Sequence, residues 1–423
     1  MMRTMIQEIN EEKEVTVSGW IHRIKKLKAV VFVILKDRTG YIQLAMDPNT
    51  FGHLKLETVI SATGTVVSGA NKYGQFEIQV KSLSVLSEVT EDLPIKINGK
   101  TLDIGLDTML NNRVLSLRHE QESAIFKIQA VISQSFKSFL ITRDFTEIHS
   151  PKLVKEGAEG GSNVFSLDYF GDVAYLAQSP QFYKQMMVIS GLERVFEVGS
   201  VFRAESHSTV RHLNEYVSMD LEMGFIESEE ELMILETELL RHIFSEITHR
   251  CSKELACLEI ELPIIPEVIP TMRLDEATAL LNRIHDKELE GDLDPESEIL
   301  IYQHMFELTG SEFLFLTHYP KKKRPMYAMP DGNETRSFDL LFRGLEITTG
   351  GLRIHHYQQL VDSMIEKGLN PVQYESYLEA FKYGVPPHGG LAIGLERLTA
   401  KILNMENIRR TTLFPRDRNR LTP

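Results

Sequence analysis

Three segments of the chain combine charged side chains with apolar runs in patterns that could bind phosphates or a magnesium ion. In the first, apolar runs at 196–202 and 217–222 flank a polar loop that contains Arg203, Arg211 and His212. The planar guanidinium of arginine suits phosphate and carboxylate oxygens, so Arg203 and Arg211 could hold two phosphates of one nucleotide. A hairpin with a solvated charged tip is the alternative, and the pattern alone leaves it open.

The second segment, 389–398, runs from a glycine-rich apolar strand into a helix that begins with Glu396 and Arg397. Glycines allow a flat ring or a phosphate to approach the backbone. An arginine at a helix start opposes the helix dipole, and a bound anion would explain its presence. An ordinary junction between a strand and a helix is the alternative.

The third segment, 337–353, places Asp339 and Glu346 within an apolar strand. Because they are seven residues apart, we expect them on opposite faces of an undistorted strand. Glu346 with the Thr349 hydroxyl is therefore the better candidate for magnesium, a hard cation that prefers oxygen ligands. A pair of hydrogen-bonded edge carboxylates is the alternative.

The elements that must position these segments read as an α+β layout. Apolar residues spaced by three and four predict a long helix over 125–140, and a second helix is predicted over about 228–248. Strands pair without regular helical crossovers, which favours a mostly antiparallel sheet flanked by helices. Shorter helices are predicted near 275–283, 355–367 and 396–404.

Residues 1–90 read instead as about five short strands, and that number in so short a segment predicts a small closed barrel such as an OB-fold. Residues 91–112 are rich in acidic residues, Asn, Gly and Pro, and read as a linker. The predicted organisation is therefore a barrel domain at 1–90, a linker at 91–112 and an α+β domain at 113–423.

Composition excludes several classes of protein. The 423 residues carry a net charge of −14, which argues against a protein that coats nucleic acid through bulk charge. Two cysteines form neither a disulfide framework nor a zinc set. No apolar run is long enough for a membrane span, and the N-terminus lacks a secretion signal, so we expect a cytoplasmic protein with no membrane partner.

Taken together, the charged segments resemble the ordered motifs of class II aminoacyl-tRNA synthetases. The long helix together with residues 145–151 resembles motif 1, residues 201–222 resemble motif 2, and residues 394–397 resemble motif 3. The resemblance covers nearly the whole chain and implies an N-terminal OB-fold β-barrel before a class II catalytic domain. Further segments are similar to aspartyl-tRNA synthetases of the archaeal/eukaryotic type: 159–162, 178–185, 343–347, 383–389 and 413–417.

This resemblance implies an enzyme that activates L-aspartate with ATP and Mg²⁺ and transfers it to tRNA. Arg203 would be catalytic, bridging the aspartate carboxylate and the α-phosphate. Glu346 and Thr349 would hold the metal, with Thr349 replacing the family's usual Ser. The residues implied to bind aspartate are Glu159, Gln181, Lys184, Arg203, Thr349 and Arg353. Those implied to bind ATP are Arg203, Glu205, Arg211, His212, Leu213, Glu346, Gly394, Leu395, Glu396 and Arg397.

The choice of amino acid follows from charge. Two cations, Lys184 and Arg353, suit the side-chain carboxylate of aspartate and leave a neutral amide under-compensated. Related asparaginyl-tRNA synthetases generally lack a lysine matching Lys184, but such an enzyme remains the alternative. Two solvated cations without a binding role are the structural alternative.

The barrel is expected to bind the anticodon, with Phe32 stacking on a base and Gln43 forming a hydrogen bond with a base edge. A role in the barrel core is an equally open alternative for Phe32. His22 follows Gly19-Trp20-Ile21 and resembles members that also charge tRNA(Asn) with aspartate. We therefore expect tRNA(Asp) and tRNA(Asn) as partners, with an amidotransferase acting downstream. If His22 only packs within the barrel, the enzyme is strict for tRNA(Asp). Motif 1 implies a homodimer.

Two further alternatives stay open. A paralogue that makes asparagine without tRNA usually lacks the barrel, so residues 1–90 argue against it. A regulator that keeps the fold without activity is disfavoured because Arg203, Glu346 and Arg397 are all present.

Overall fold

The computed structural model describes residues 2–11, 13–157, 163–205 and 209–423. The chain divides into two compact units, Met1–Asp103 and Ile104–Pro423. The boundary lies inside the predicted linker at 91–112, part of which is helical.

The first unit is built on a closed five-stranded barrel, as predicted. Its strands are β1 (Glu14–Lys26), β2 (Val31–Lys36), β3 (Tyr41–Met46), β4 (Val59–Asn71) and β5 (Gly74–Ser87), with the short helix α1 (Pro48–Phe51) after β3. Around the barrel the order is β1-β2-β3-β5-β4. Side chains alternate along each strand, so Val31, Val33 and Leu35 enter the core and Phe32 does not.

The second unit contains an eight-stranded sheet. Its strands are β6 (Thr146–Glu147), β10 (Arg194–Phe202), β11 (Glu215–Gly224), β12 (Thr271–Arg273), β13 (Phe313–Thr317), β16 (Ser337–Phe342), β17 (Leu345–Arg353) and β18 (His388–Gly394). The order is β12-β13-β16-β17-β18-β11-β10-β6. Only the outermost pairs, β12 with β13 and β6 with β10, are parallel. The prediction of a mostly antiparallel sheet is confirmed.

Two smaller sheets complete the strands of this unit. One contains β7 (Leu153–Val154), β8 (Ser166–Tyr169) and β9 (Asp172–Leu176), and the other contains β14 (Pro330–Asp331) and β15 (Glu334–Thr335).

Helices flank the large sheet. They are α2 (Leu106–Asn111), α3 (Arg113–Ser116), α4 (Glu120–Ile141), α5 (Gln181–Met187), α6 (Glu229–Arg250), α7 (Ser252–Leu258), α8 (Leu274–His285), α9 (Pro295–Thr309), α10 (Tyr357–Glu366), α11 (Glu375–Ala380) and α12 (Leu395–Ile402). The long helices α4 and α6 share the main core with residues of the sheet. A capping box of Ser228 and Glu231 begins α6. No helix in the described ranges is long and apolar enough to cross a membrane.

The predicted single strand through Asp339 and Glu346 is wrong. The chain reverses at Arg343 and Gly344, whose φ angles of 48° and 68° are typical of a two-residue hairpin turn. Asp339 consequently lies opposite Thr349 across β16 and β17. The argument that placed Asp339 and Glu346 on opposite faces fails, because a two-residue period does not continue through a reversal of the chain.

Candidate active site

A cavity of about 320 Å³ in the second unit brings together most of the predicted site residues. Its walls come from α5, β11, β17, β18, the loop between β10 and β11, and the start of α12. The predicted residues that line it are Gln181, Lys184, Arg203, Glu205, Arg211, His212, Leu213, Glu346, Thr349, Arg353, Gly394, Glu396 and Arg397. Leu395 packs in the hydrophobic core instead. Glu159 lies outside the described residues.

At the buried side of the cavity, two cations meet two carboxylates. Lys184 Nζ lies 3.1 Å from an Asp220 oxygen and 3.3 Å from a Glu222 oxygen. Arg353 Nε donates to Glu222 at 2.9 Å. Neither cation is solvated, because Lys184 is 1% and Arg353 6% exposed. The alternative of two solvated cations is therefore wrong.

The acids Asp220 and Glu222 were missed by the sequence analysis. The signal was present, since Ser218, Asp220 and Glu222 alternate with apolar residues in β11 and so share one face of the strand. Burial opposes ionisation of Glu222, but Arg353 and Lys184 outweigh it and hold the pKa of this carboxyl below its usual value. The four groups therefore form a compensated cluster of two positive and two negative charges.

Arg203 follows β10 and lies on the wall of the cavity, with its guanidinium carbon 5.8 Å from the centre of the Tyr216 ring. Asn214 holds the backbone at this point, because its amide donates to the carbonyl oxygens of Arg203 at 2.7 Å and of Glu205 at 3.1 Å. No motif marked Asn214 as a structural residue of the site.

His212 lies between polar groups of the same loop. Its Nε2 is 3.7 Å from a Glu205 oxygen and its Nδ1 is 2.6 Å from the Thr209 hydroxyl. Burial lowers the pKa of His212, which favours the neutral ring. A neutral imidazole beside a carboxylate offers mixed donors and acceptors of the kind that a ribose or a purine edge requires.

Two arginines line the cavity near the start of β17, whereas Arg353 lies at the end of that strand. Arg397 Nη1 donates to the backbone oxygen of Glu346 at 3.0 Å. Arg211 forms an ion pair with Glu298 of α9, a residue that no sequence signal suggested. Burial raises the pKa of Glu298 to about 7, although Arg211 opposes that rise. This arrangement suits a chain of phosphates.

The oxygen ligands predicted for magnesium are adjacent, since Thr349 Oγ1 donates to Glu346 Oε1 at 2.8 Å. Burial opposes ionisation of Glu346, but Arg397 and the Thr349 hydroxyl outweigh it and keep its pKa low. Among the described residues no group of three His, Cys, Asp or Glu side chains could hold a metal. One carboxylate and one hydroxyl fit a magnesium ion that arrives with a polyphosphate and keeps waters.

Asp339 is nearer to this pair than the sequence predicted, but Arg324 already engages it at 2.7 Å. Burial raises the pKa of Asp339 to about 6 despite that arginine. Arg324 belongs to the basic run 321–324, and its guanidinium carbon lies 3.7 Å from the centre of the Tyr319 ring, on the wall of the cavity. The Arg324 side chain is 11% exposed, so it is a largely buried part of the site.

In the glycine-rich strand β18, Gly390 has a packing role that the sequence did not predict. A Cβ at Gly390 would lie 2.1 Å from Glu222 Oε2 and 2.2 Å from the backbone oxygen of Leu221, so this glycine makes room for the buried acid. Glu396 accepts the Val217 N–H at 3.1 Å through both oxygens, which joins α12 to β11. Burial raises the pKa of Glu396 to about 7.

The predicted anticodon residues lie on the outside of the barrel. Phe32 is half-buried and lies opposite Lys25 and Ala45, outside the barrel core. Gln43 donates to Glu77 at 2.8 Å. The core alternative for Phe32 is therefore wrong.

His22 lies at a bulge in β1, where the register with β2 shifts. Its Nδ1 is 3.2 Å from the Asn98 amide nitrogen, and its ring centre is 4.9 Å from that of Tyr41. Tyr41 in turn lies 5.9 Å from Tyr73 of the loop between β4 and β5. Bulges commonly redirect side chains at functional surfaces.

Comparison with known proteins assigns both units. A family model described as "tRNA synthetases class II (D, K and N)" matches residues 105–418, and one described as "OB-fold nucleic acid binding domain" matches residues 15–86. The aspartate–tRNA(Asp/Asn) ligase of Deinococcus radiodurans is 46% identical, with 100% of this chain and 99% of that protein covered. The protein of the same name from Thermus thermophilus is 45% identical, with both chains fully covered.

Among solved structures, the asparaginyl-tRNA synthetase of Pyrococcus horikoshii complexed with asparaginyl-adenylate superposes with a TM-score of 0.92 at 28% identity. The superposition covers 100% of both chains. The cavity, with its buried ionic cluster and facing arginines, thus occurs on a fold shared along its whole length with synthetases. This chain belongs to the class II aminoacyl-tRNA synthetases of the aspartate, lysine and asparagine group.

Proposed function

We propose that this enzyme ligates L-aspartate to tRNA(Asp) and tRNA(Asn) through aspartyl-adenylate, with ATP and Mg²⁺. The observation that carries the proposal is the arrangement of the cavity, which has buried Arg353 with Lys184 where β17 ends and Arg397 with Arg211 where β17 begins. A small dicarboxylate and a polyphosphate fit these two sides, and Arg203 lies on the wall of the same cavity. The names of the relatives from Deinococcus and Thermus support the same substrates.

In the first step, an oxygen of the aspartate α-carboxylate attacks the α-phosphorus and pyrophosphate leaves. Arg203 would hold both reacting groups and neutralise charge that develops between them. In the second step, a hydroxyl of the terminal tRNA ribose attacks the acyl carbon and AMP leaves. Glu346 and Thr349 would hold magnesium, which when bound would neutralise charge on the phosphates.

Selection of aspartate over asparagine follows from hydrogen-bond donors as well as charge. Lys184 and Arg353 carry donors and no acceptors. The side-chain carboxylate of aspartate accepts from both, whereas the amide of asparagine would direct an NH₂ donor at one of them. Because the cluster is compensated before substrate binds, this mismatch of donors outweighs bulk positive charge as the cause of selection. Asp220 or Gln181 would receive the substrate ammonium.

We propose that the barrel reads the anticodon with Phe32, Gln43 and His22, and that the second unit performs the chemistry. Acceptance of tRNA(Asn) would produce aspartyl-tRNA(Asn), which a separate amidotransferase must convert. We further propose a cytoplasmic homodimer joined through α4 and β6, the elements of motif 1. Light scattering on the purified protein tests the dimer, and a monomeric mass would contradict it.

Two assays test the proposed reaction. Aspartate-dependent exchange of pyrophosphate into ATP should occur, with asparagine giving little exchange. Preferential exchange with asparagine would instead favour an asparaginyl-tRNA synthetase. Aspartate charging of tRNA(Asp) and tRNA(Asn) transcripts should be comparable, and charging of tRNA(Asp) alone would show a strict enzyme.

A further inference from the structure

Helix α9 supplies an acidic side chain to the phosphate side of the cavity. Arg211 of the loop between β10 and β11 pairs with Glu298, in the first turns of α9. The Arg211 and Glu298 side chains are only 20% and 15% exposed, so solvent screens this pair weakly. The proposed reaction as described above assigns no role to α9.

The start of α9 is held firmly, so Glu298 has a defined position. Asp294 caps the helix by accepting the Ser297 N–H at 2.7 Å, and Pro295 occupies the first helical position. The helix packs closely on the β16–β17 turn, where a Cβ at Gly344 would lie 2.8 Å from Ile299 Cα. This contact ties Glu298 to the hairpin that carries Glu346.

The charges around Arg211 explain why it needs an anionic neighbour. Lys401 donates to the backbone oxygen of Arg343 at 3.0 Å, and burial, Arg211 and Arg343 together lower the pKa of Lys401, so two further cations lie near Arg211. Without a counter-charge, Arg211 would be repelled from these cations. A guanidinium has five N–H donors, and Glu298 engages only Nη2, which leaves other donors for a second anion.

We propose that Glu298 is a positioning residue for Arg211, holding its guanidinium so that the remaining N–H donors face the outer phosphates of ATP. The inference rests on the proposed function, since ATP is the ligand. Without Glu298, the Arg211 guanidinium stays charged but loses the ion pair that holds its position. ATP binding should then weaken, while aspartate binding, which uses the other side of the cavity, should not change.

The test compares Glu298→Ala, Glu298→Gln and the matched control Glu296→Ala. Glu296 lies in the same turn, but its side chain is 76% exposed and pairs with Lys287 instead. We expect Glu298→Ala to raise the KM for ATP about tenfold, the size of one charge-assisted hydrogen bond. Glu298→Gln keeps an acceptor and should give a smaller rise, and Glu296→Ala should give none. The KM for aspartate should stay within about twofold for all three variants.

A positioning role also predicts that the effects of substituting Glu298 and Arg211 on the ATP KM are not additive. In an Arg211→Ala background, adding Glu298→Ala should change the ATP KM by less than about twofold, because the partner is already absent. A full tenfold effect in that background, or an equal rise in the aspartate KM, would overturn the proposal and indicate a general structural role. So would an unchanged ATP KM in Glu298→Ala.

Calorimetric titration of each variant with ATP separates this inference from the proposed function. The wild type should bind ATP about tenfold more tightly than Glu298→Ala, whether or not aspartate is activated. If the wild type binds ATP but shows no aspartate-dependent exchange, the proposed reaction fails while this difference still tests Glu298. Equal affinities for ATP would overturn the role of Glu298 alone.

Discussion

The buried side of the cavity in the second unit and the outer face of the barrel both present cations to a proposed ligand, but they surround these cations differently. Lys184 and Arg353 are buried, and each lies against a carboxylate. On the barrel, Lys25 is exposed and lies opposite the half-buried ring of Phe32. The first arrangement is compensated and buried, and the second is open to water and salt.

Because of this difference, substitutions in the cavity should have large effects on binding and substitutions on the barrel face should have small ones. A buried ion pair carries a large desolvation cost, so removing one partner leaves an uncompensated charge. An exposed cation interacts with phosphates through screened attraction, and each such residue contributes little. Recognition of the amino acid should therefore depend on few residues, whereas recognition of tRNA should be distributed over many.

The largest expected effect comes from Lys184→Met. Truncating one partner of a buried, hydrogen-bonded charge pair costs recognition about 2–5 kcal/mol, so kcat/KM for aspartate should fall about 10²-fold to 10³-fold. Steady-state exchange assays measure this fall, and calorimetry should show that ATP binding persists. Lys382→Met, at a residue outside the cavity lining, is the control. Unchanged aspartate kinetics in Lys184→Met would show that recognition of the amino acid does not depend on the buried cluster.

The second prediction concerns Glu236, a fully buried acid of α6 that accepts a hydrogen bond from the Thr348 hydroxyl at 2.5 Å. Burial raises its pKa to about 8 from the usual 4.5. The folded state therefore binds a proton that the unfolded state has released, and the free energy of unfolding should fall as pH rises from about 5 to about 8.

Glu236→Gln should remove this contribution and raise the free energy of unfolding at pH 8 by roughly 4 kcal/mol, with little change at pH 5. Denaturant titrations of the full chain at several pH values measure both. A parallel pH dependence in wild type and variant would show that Glu236 does not control the pH dependence of stability.

The third prediction tests the barrel face. If Phe32 stacks on an anticodon base, Phe32→Ala should raise the KM for tRNA about tenfold, since stacking contributes about 1–3 kcal/mol per base. Aspartate-dependent exchange without tRNA should not change. Leu86→Ala, at an exposed apolar residue of β5, serves as control. Equal effects of both substitutions would remove the special role of Phe32.

The smallest effect is expected from Lys25→Ala. One phosphate contact fewer should weaken tRNA binding two- to fivefold at physiological salt and reduce the slope of log affinity against log salt by about 0.7–0.9. Binding titrations across a salt series measure the slope. Lys13, which pairs with Glu11, provides the control substitution Lys13→Ala. An effect of Lys25→Ala that is independent of salt would argue against a phosphate contact.

Much of the architecture was predictable because it depends on short-range periodicity. The alternation in residues 1–90 predicted the barrel, and the spacing of apolar residues predicted α4 and α6. The motif residues Arg203, Glu346 and Arg397 were also found before the structure, and they line one cavity. The hairpin at Arg343 was missed because apolar strands continue on both sides of a two-residue turn.

The sequence by itself determined the class of the two units, the order of the motifs and the side chains available for binding. The pairing of charges that compensate each other depends on tertiary contacts. Glu222 meets Arg353, which is 131 residues away, and Arg211 meets Glu298, which is 87 residues away. The register of β11, β17 and β18 and the packing of α9 create these pairs, and such long-range geometry leaves no local periodic signal in the chain.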